Sequence, residues 1–166
     1  MARREPGCVR VALRFSSIER AIGVAKGRQH RRKGIYQGTL KSVSMGQDLV
    51  QWIAESTVGL VSDKPKSFGD RVTGRCIGCG RTAKGKVEFE YGTCELADLV
   101  GEKFYTTLSL VSANAGTVAT KQTIVGGTGK YTGVTGGWDV VRRSHRGPPE
   151  GVVVGSTKLT GTYKLP

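Results

Sequence analysis

The sequence predicts an all-β protein, an eight-stranded antiparallel up-and-down barrel that follows a basic N-terminal arm. Short segments of alternating apolar and polar residues recur along residues 34–166, with turn signals between them. The chain contains 25 glycines and only five prolines, a balance that suits many short strands. No segment carries a convincing helical pattern. Eight such strands can close into a barrel, which removes the exposed sheet edges that an open sheet would have to protect.

Charge divides the chain into two parts. The formal net charge is +13, and residues 1–33 alone carry ten Lys or Arg and two Glu. We therefore interpret residues 1–33 as a basic arm or leader outside the fold, and residues 34–166 as one barrel domain. The arm is rich in arginine and poor in acidic residues, like an organelle presequence. No secretory signal is evident, because arginines interrupt every apolar run, so cytoplasmic and organelle-targeted locations both stay open.

The first four predicted strands cover residues 34–45, 48–61, 70–77 and 86–97. The first strand has one face of mixed polarity, which suits exposure to solvent. The second also fits a helix face at several positions, but its β-branched content and Gly59 favour a strand. Residues 78–85, rich in glycine and polar side chains, are predicted to form the turn before the fourth strand. The fourth strand shows the cleanest alternation of all.

The last four predicted strands cover residues 103–111, 117–125, 136–143 and 152–165. The fifth places Phe104 and Leu108 on one face, and a turn of small residues follows it. The sixth and seventh flank a glycine-rich segment. An open polar loop containing Pro148 and Pro149 precedes the eighth strand, in which Leu159 and Tyr163 share one face.

Six glycines fall within residues 125–137. Glycine at this density supplies positive φ angles and close backbone approach, so the segment is predicted to turn the chain at a barrel rim. A phosphate loop of the Walker type would need glycine in place of Ile124, and Ser or Thr in place of Tyr131. A dinucleotide-binding fingerprint would need glycine in place of Thr132. We therefore interpret these glycines as structural.

The same segment resembles a known family. Gly126-Gly127-Thr128-Gly129-Lys130-Tyr131-Thr132-Gly133-Val134-Thr135-Gly136 is similar to the late Gly-Gly-Thr-Gly-(Lys/Arg)-(Tyr/Phe)-x-Gly-x-x-Gly segment of allene oxide cyclase-like and dirigent-like barrels. Counted by strand order, the resemblance covers residues 34–166. It implies an eight-stranded antiparallel barrel with an apolar interior. Such barrels serve as cyclases, as coupling guides and in unknown roles, so the resemblance implies the fold and a cavity but no catalytic residue.

The fourth strand sets the predicted orientation of the interior. An eight-stranded barrel leaves room for packed side chains or for one small ligand. Alternation places Phe89, Tyr91 and Glu95 on one face, and Glu88 and Glu90, which are costly to bury unpaired, on the other. We therefore predict that the Phe89 face points inward. The predicted ligand-binding residues are Trp52, Phe89, Tyr91, Phe104 and Tyr36.

Two carboxylates are the candidate catalytic groups. Glu95 shares a face with Phe89 and Tyr91, and burial beside aromatic rings would equip it for proton transfer. Glu55, in the second strand, is the second candidate. The alternative is that each is a rim carboxylate outside the packed interior.

The predicted function is binding of an apolar or aromatic metabolite in the barrel interior, with isomerase or cyclase activity as an open extension. One alternative is a non-catalytic binding or structural barrel, and another is nucleic-acid binding through the basic arm. Nucleic acid is the less favoured partner, because no strand face interleaves aromatic and basic residues. A homo-oligomer stays open. No run of eighteen apolar residues exists, so no membrane span is predicted.

No cofactor and no metal site are predicted. Cys76 and Cys79 have the spacing of zinc ligands, but a second pair is missing, since Ala97 stands three residues after Cys94. Free buried thiols and a disulfide both remain open for the cysteines.

Overall fold

A computed structural model describes residues 28–114, 116–145 and 148–166. Eight antiparallel strands follow one another around the sheet, and the last pairs with the first to close a barrel. The predicted all-β fold class, an eight-stranded up-and-down barrel, is therefore confirmed. The strands are β1 Arg28–Ser44, β2 Leu49–Ser62, β3 Val72–Ala83, β4 Lys86–Ala97, β5 Lys103–Asn114, β6 Thr117–Gly127, β7 Thr135–Ser144 and β8 Val152–Lys164. A short 3-10 turn, Gly129–Tyr131, lies between β6 and β7.

The barrel begins earlier than the charge pattern indicated. β1 starts at Arg28, and its first residues pair with β8, although residues 28–33 had been placed in the arm. His30 and Arg32 point inward and are 3% and 1% exposed. The sequence hid this part of the strand because polar and charged side chains occupy its inward positions, where apolar ones are expected. Residues 1–27, the rest of the predicted arm, lie outside the described residues.

β3 is longer than predicted, because residues 78–83 continue the ladder instead of forming a turn. Gly80 pairs with Trp52 of β2, and a Cβ atom at position 80 would overlap the Trp52 ring. Glycine is thus needed inside this strand because an indole ring lies over it. The turn itself shrinks to Lys84 and Gly85, both with positive φ.

β4 faces the opposite way from the prediction. Glu90, Cys94 and Leu96 are buried inside the barrel, whereas Tyr91 is 52% exposed on the outside. The predicted inward orientation of Phe89, Tyr91 and Glu95 is therefore wrong. It assumed that a buried glutamate would have no partner, but Glu90 finds one on a distant strand.

An aromatic plug closes one end of the barrel. Phe68, in the loop between β2 and β3, inserts among inward side chains from four elements. Its ring centroid lies 4.5 Å from that of Tyr163 and 4.8 Å from that of Phe104. The plug consists of Phe68, Phe104, Tyr131, Trp138 and Tyr163.

The buried side chain of Arg32 packs against this plug. Its guanidinium lies 5.0 Å from the centroid of the Trp138 ring and 5.5 Å from that of Phe68, and it donates a hydrogen bond to the Phe68 carbonyl oxygen. Burial lowers the pKa of Arg32 to about 10. Contact with two aromatic faces partly offsets the cost of removing this cation from water.

The glycine-rich segment connects β6 to β7 at the same end. Gly129 has a φ of +53°, and a Cβ atom there would overlap the Glu102 carboxylate. Tyr131 donates a hydrogen bond of 3.0 Å to Asp98, and Lys130 forms ion pairs with Asp98 and Glu102. The segment thus ties the β6–β7 connection to the β4–β5 turn.

Candidate functional site

A partly open cavity lies inside the barrel, between the aromatic plug and the other end. All eight strands contribute side chains to its wall. Its volume is about 70 Å³, where a single water needs about 10–15 Å³ on the same measure. Six of its fourteen lining side chains are aliphatic: Val58, Leu60, Leu96, Leu108, Val140 and Leu159. The polar lining side chains are Tyr36, Ser56, Thr120, Gln122, Arg142 and Thr157.

Arg142 is held in place by a carboxylate from across the barrel. Both oxygens of Glu90 lie 2.6 Å from Arg142 Nη2, although β4 and β7 are separated by two strands. The side chain of Glu90 is 8% exposed and that of Arg142 is 26% exposed. A charge-assisted pair of this kind fixes the direction of the guanidinium, because the carboxylate itself is held by β4.

Two buried donors beside the cavity have no hydrogen-bond partner among the described residues. They are Nε of Arg142 and Oγ1 of Thr157. The two residues are directly paired on β7 and β8 and both line the cavity. Thr157 is 5% exposed. Buried polar atoms without partners are uncommon in folded proteins, so adjacent ones that line a cavity mark a place for an acceptor.

Gln122 contributes a third polar group to the wall. Its Nε2 donates to Thr106 Oγ1 at 2.7 Å and lies 3.6 Å from Cys94 Sγ. Tyr36 reaches the wall from β1, and its hydroxyl is 3.4 Å from Ser144 Oγ. That contact is long for an O–H···O bond, so the Tyr36 hydroxyl retains capacity to bond elsewhere.

A disulfide forms part of the cavity wall. Cys76 and Cys94, directly opposite each other on β3 and β4, are covalently joined and both line the cavity. Cys76 is therefore not a thiolate ligand of the kind that the Cys76–Cys79 spacing would suggest for zinc. The described residues hold no cluster of three or more His, Cys, Asp or Glu side chains suited to a metal ion.

The five predicted ligand-binding residues lie in different parts of the structure and do not form one site. Tyr36 lines the cavity, and its role in ligand binding stays a prediction. Trp52 lies on the inward face of β2 above Gly80, outside the cavity lining. Phe104 is buried in the aromatic plug, while Phe89 and Tyr91 lie on the outer face.

The two predicted catalytic carboxylates lie outside the barrel. Glu95 forms a 3.0 Å ion pair with Lys103, and Glu55 forms a 2.6 Å ion pair with Arg75. Both side chains are about half exposed, at 50% and 51%. Their assignment rested on inward orientation, which is wrong, because both lie on the outer face of the barrel wall.

Apart from Tyr36, the polar residues at the cavity escaped the sequence-based prediction. Glu90, Arg142 and Thr157 stood at positions assigned to the outer face or to no site. A signal existed in β7, where Trp138, Val140 and Arg142 alternate on one face. Nothing in the sequence indicated that Glu90 would meet Arg142, because 52 residues separate them.

Three ionisable side chains, Asp98, Lys130 and Tyr131, interact at the end of the barrel that the aromatic plug closes. Burial opposes ionisation of Asp98, but hydrogen bonds from Lys130, Tyr131 and two backbone amides outweigh it and lower its pKa to about 2. Burial and the bond to Asp98 raise the pKa of Tyr131 to about 12. The bond to Asp98 also raises the pKa of Lys130. All three groups thus keep fixed protonation states at neutral pH, which suits a structural role.

Comparisons with known proteins find a likeness only among solved structures. No family model and no curated protein matches the chain. Among solved structures, the pterocarpan synthase dirigent protein is similar, with 16% sequence identity and a TM-score of 0.47. The match covers 92% of this chain and 100% of that one. The fold that the resemblance implied, an eight-stranded antiparallel barrel, is the one that the strand order shows. Among the described residues, no helix has the length and hydrophobicity to cross a membrane.

Proposed function

We propose that the barrel binds a small apolar or aromatic metabolite in its cavity and holds an oxygen atom of that ligand between Arg142 and Thr157. The supporting observation is the pair of unpartnered donors, Arg142 Nε and Thr157 Oγ1, in a cavity that six aliphatic side chains also line. The wall favours an apolar body, and the donors select a ligand that carries an acceptor. A ligand oxygen would satisfy two polar atoms that are otherwise buried at a cost.

The charge balance of the cavity favours a neutral acceptor. Glu90 already neutralises Arg142, so a carboxylate ligand would add a net negative charge to a site with aliphatic walls. A carbonyl or hydroxyl oxygen accepts the same hydrogen bonds without that cost. The preferred ligand is therefore a small ketone, aldehyde, ester or alcohol with an aromatic or aliphatic body.

A more specific proposal is that the barrel also catalyses an isomerisation or cyclisation of the bound ligand. An isomerase or cyclase would need groups in the interior that polarise an oxygen or move a proton. The interior offers the Tyr36 hydroxyl and the Glu90–Arg142 pair for this purpose. These groups replace Glu95 and Glu55 in that role, because the latter two face solvent.

The two alternatives differ in what supports them. A purely structural barrel needs no cavity, so the cavity favours a binding role over it. Nucleic-acid binding was attributed to the basic arm, of which residues 1–27 lie outside the described part of the chain. That alternative stays a prediction.

The proposal is tested with two matched probes, acetophenone and ethylbenzene, in which a methylene replaces the carbonyl. Titration followed by amide NMR shifts of the full chain should show acetophenone binding about tenfold more tightly, since a hydrogen bond to a charged group contributes about 1.5 kcal/mol or more. Shifts should concentrate at Thr157 and Leu159. Equal affinity for both probes, or shifts confined to the outer face, would rule the proposal out.

Two variants test whether Arg142 and Thr157 are the donors that hold the ligand oxygen. Arg142→Lys keeps a cation beside Glu90 but removes Nε, and Thr157→Val removes Oγ1 at nearly constant volume. Each should lower the preference for acetophenone over ethylbenzene. Arg143→Lys, on the exposed side of β7, is the matched control and should leave that preference unchanged.

A further inference from the structure

We propose that the Cys76–Cys94 disulfide is a site of thiol–disulfide exchange inside the cavity, with low-molecular-weight thiols as its reaction partners. Both sulfur-bearing side chains line the cavity, so a molecule that enters it meets the disulfide. Cys94 is 5% exposed and Cys76 is half-buried, which makes Cys76 the more accessible of the two. Access to a sulfur atom is one of the factors that set the rate of exchange.

The disulfide is redundant as a link between β3 and β4. The backbone ladder joins the two strands on both sides of it, from the pair Thr73–Ala97 to the pair Ala83–Lys86. A two-residue turn, Lys84 and Gly85, already connects them. Reduction would therefore leave the two strands paired and change the cavity wall from a disulfide to two thiols.

The wall also holds a donor for the leaving sulfur. Gln122 Nε2 lies 3.6 Å from Cys94 Sγ and is oriented by its 2.7 Å bond to Thr106 Oγ1. A departing thiolate at Cys94 would receive this N–H. Hydrogen bonding to the charged form stabilises a thiolate, which makes Cys94 the better leaving group.

The exchange proceeds in two balanced steps. A thiolate RS⁻ attacks Cys76 Sγ, the Cys76–Cys94 bond breaks, and its electron pair passes to Cys94 Sγ, which then takes a proton from water. A second RS⁻ attacks the sulfur of the mixed disulfide at its R side, which releases the Cys76 thiolate and forms RSSR. The protein disulfide gains two electrons, and two small thiols lose them.

The test compares two thiols that carry the same 2-mercaptoethyl group. One is 2-mercaptoethanol, and the other is a polyethylene glycol chain that ends in that group and is too large to enter the cavity. The folded full chain is treated with each, free thiols are trapped with iodoacetamide, and tandem mass spectrometry measures labelling at Cys76 and Cys94. Circular dichroism verifies that the chain stays folded.

We expect the small thiol to reduce this disulfide at least about tenfold faster than the large one, because only access differs. Gln122→Leu should slow the reaction of the small thiol several-fold. Val58→Phe, which fills the cavity from β2, should also slow it, whereas Val61→Phe, on the outer face of the same strand, should not. Should Val58→Phe fail to fold, the two thiols compared on the native chain still decide the question.

Equal rates for the two thiols would overturn the proposal, and so would reduction only at the rate of global unfolding. The exchange needs no other bound ligand. Failure of acetophenone to bind would therefore count against the proposed function alone, and failure of the small thiol to react would count against this inference alone.

Discussion

Glu90 and Arg142 meet across the barrel interior, with both carboxylate oxygens 2.6 Å from one guanidinium nitrogen. The strands that carry them are not neighbours, so the pair links opposite parts of the wall. This contact explains why β4 turns Glu90 inward and Tyr91 outward. Arg142, whose Nε has no hydrogen-bond partner, is paired on β8 with Thr157, whose Oγ1 has none either.

The first prediction concerns the energetics of this pair. Arg142→Leu should lower the free energy of unfolding by about 3 kcal/mol, because Glu90 would remain as a buried charge without its partner. The double variant Glu90→Leu/Arg142→Leu should recover most of that loss, since it removes both charges. Urea denaturation of the two variants and the native chain measures the difference.

A surface ion pair, Arg81–Glu88, provides the control for these variants. Glu88 on β4 pairs with Arg81 at 2.7 Å, and their side chains are 42% and 44% exposed. Glu88→Gln should change stability by less than about 1 kcal/mol, because solvent screens exposed pairs. If Arg142→Leu proved as mild as Glu88→Gln, the Glu90–Arg142 pair would not be the buried contact described.

The second prediction concerns acid stability. The pKa of Asp98 is lowered from 3.8 to about 2 in the folded protein, against the effect of burial, chiefly by Lys130 and Tyr131. A depressed carboxyl pKa contributes stability that is full above about pH 4 and is lost as the pH falls towards about 2. The shift corresponds to about 2 kcal/mol.

Asp98→Asn should therefore destabilise the chain at neutral pH and flatten the loss of stability between about pH 4 and pH 2. Urea denaturation at a series of pH values measures both effects. Asp139→Asn is the control, since Asp139 lies on the surface with its side chain 72% exposed. An unchanged acid profile in Asp98→Asn would contradict the assignment.

The third prediction concerns the glycine-rich segment. Gly129→Ala should cost about 1–3 kcal/mol, because φ is positive there and the new methyl would overlap Glu102. Gly126→Ala, in the same segment, has only the Tyr105 ring at 3.9 Å from the new atom. It should change stability by less than about 0.5 kcal/mol. Thermal melting of both variants distinguishes a conformational requirement at Gly129 from general sensitivity of the segment.

The sequence predicted the topology well, because strand alternation and turn chemistry are local properties of the chain. Eight strands in order and the rim position of the glycine-rich segment both follow from such patterns. Closure then follows from strand count and from the need to protect sheet edges. The start of β1 was missed because Arg32, a charged residue, occupies an inward position against the aromatic plug.

The candidate site was harder to predict, because it depends on contacts between distant strands. Burial of the Glu90 carboxylate costs little stability only because Arg142 pairs with it. The local sequence around Glu90 contains no pattern that predicts this distant partner. The inward face of β4 therefore looked polar, and its outer face, with Phe89 and Tyr91, looked like core. Tyr36 lines the cavity, and alternation had placed it on the face of β1 opposite Gln37 and Lys41.

The last prediction tests the relationship between Gly80 and Trp52, which explains why β3 continues where a turn was predicted. Gly80→Ala should lower the free energy of unfolding by about 1–3 kcal/mol, because the methyl group enters space occupied by the indole ring. The same change in a Trp52→Ala background should cost less, although the rescue is partial, since the Phe89 carbonyl oxygen lies 2.7 Å from that position. Gly59→Ala, on β2 with nothing within 4 Å, is the control and should be neutral. Additive costs in the double variant, measured by urea denaturation, would mean that the indole ring does not lie over Gly80 and that another cause extends β3.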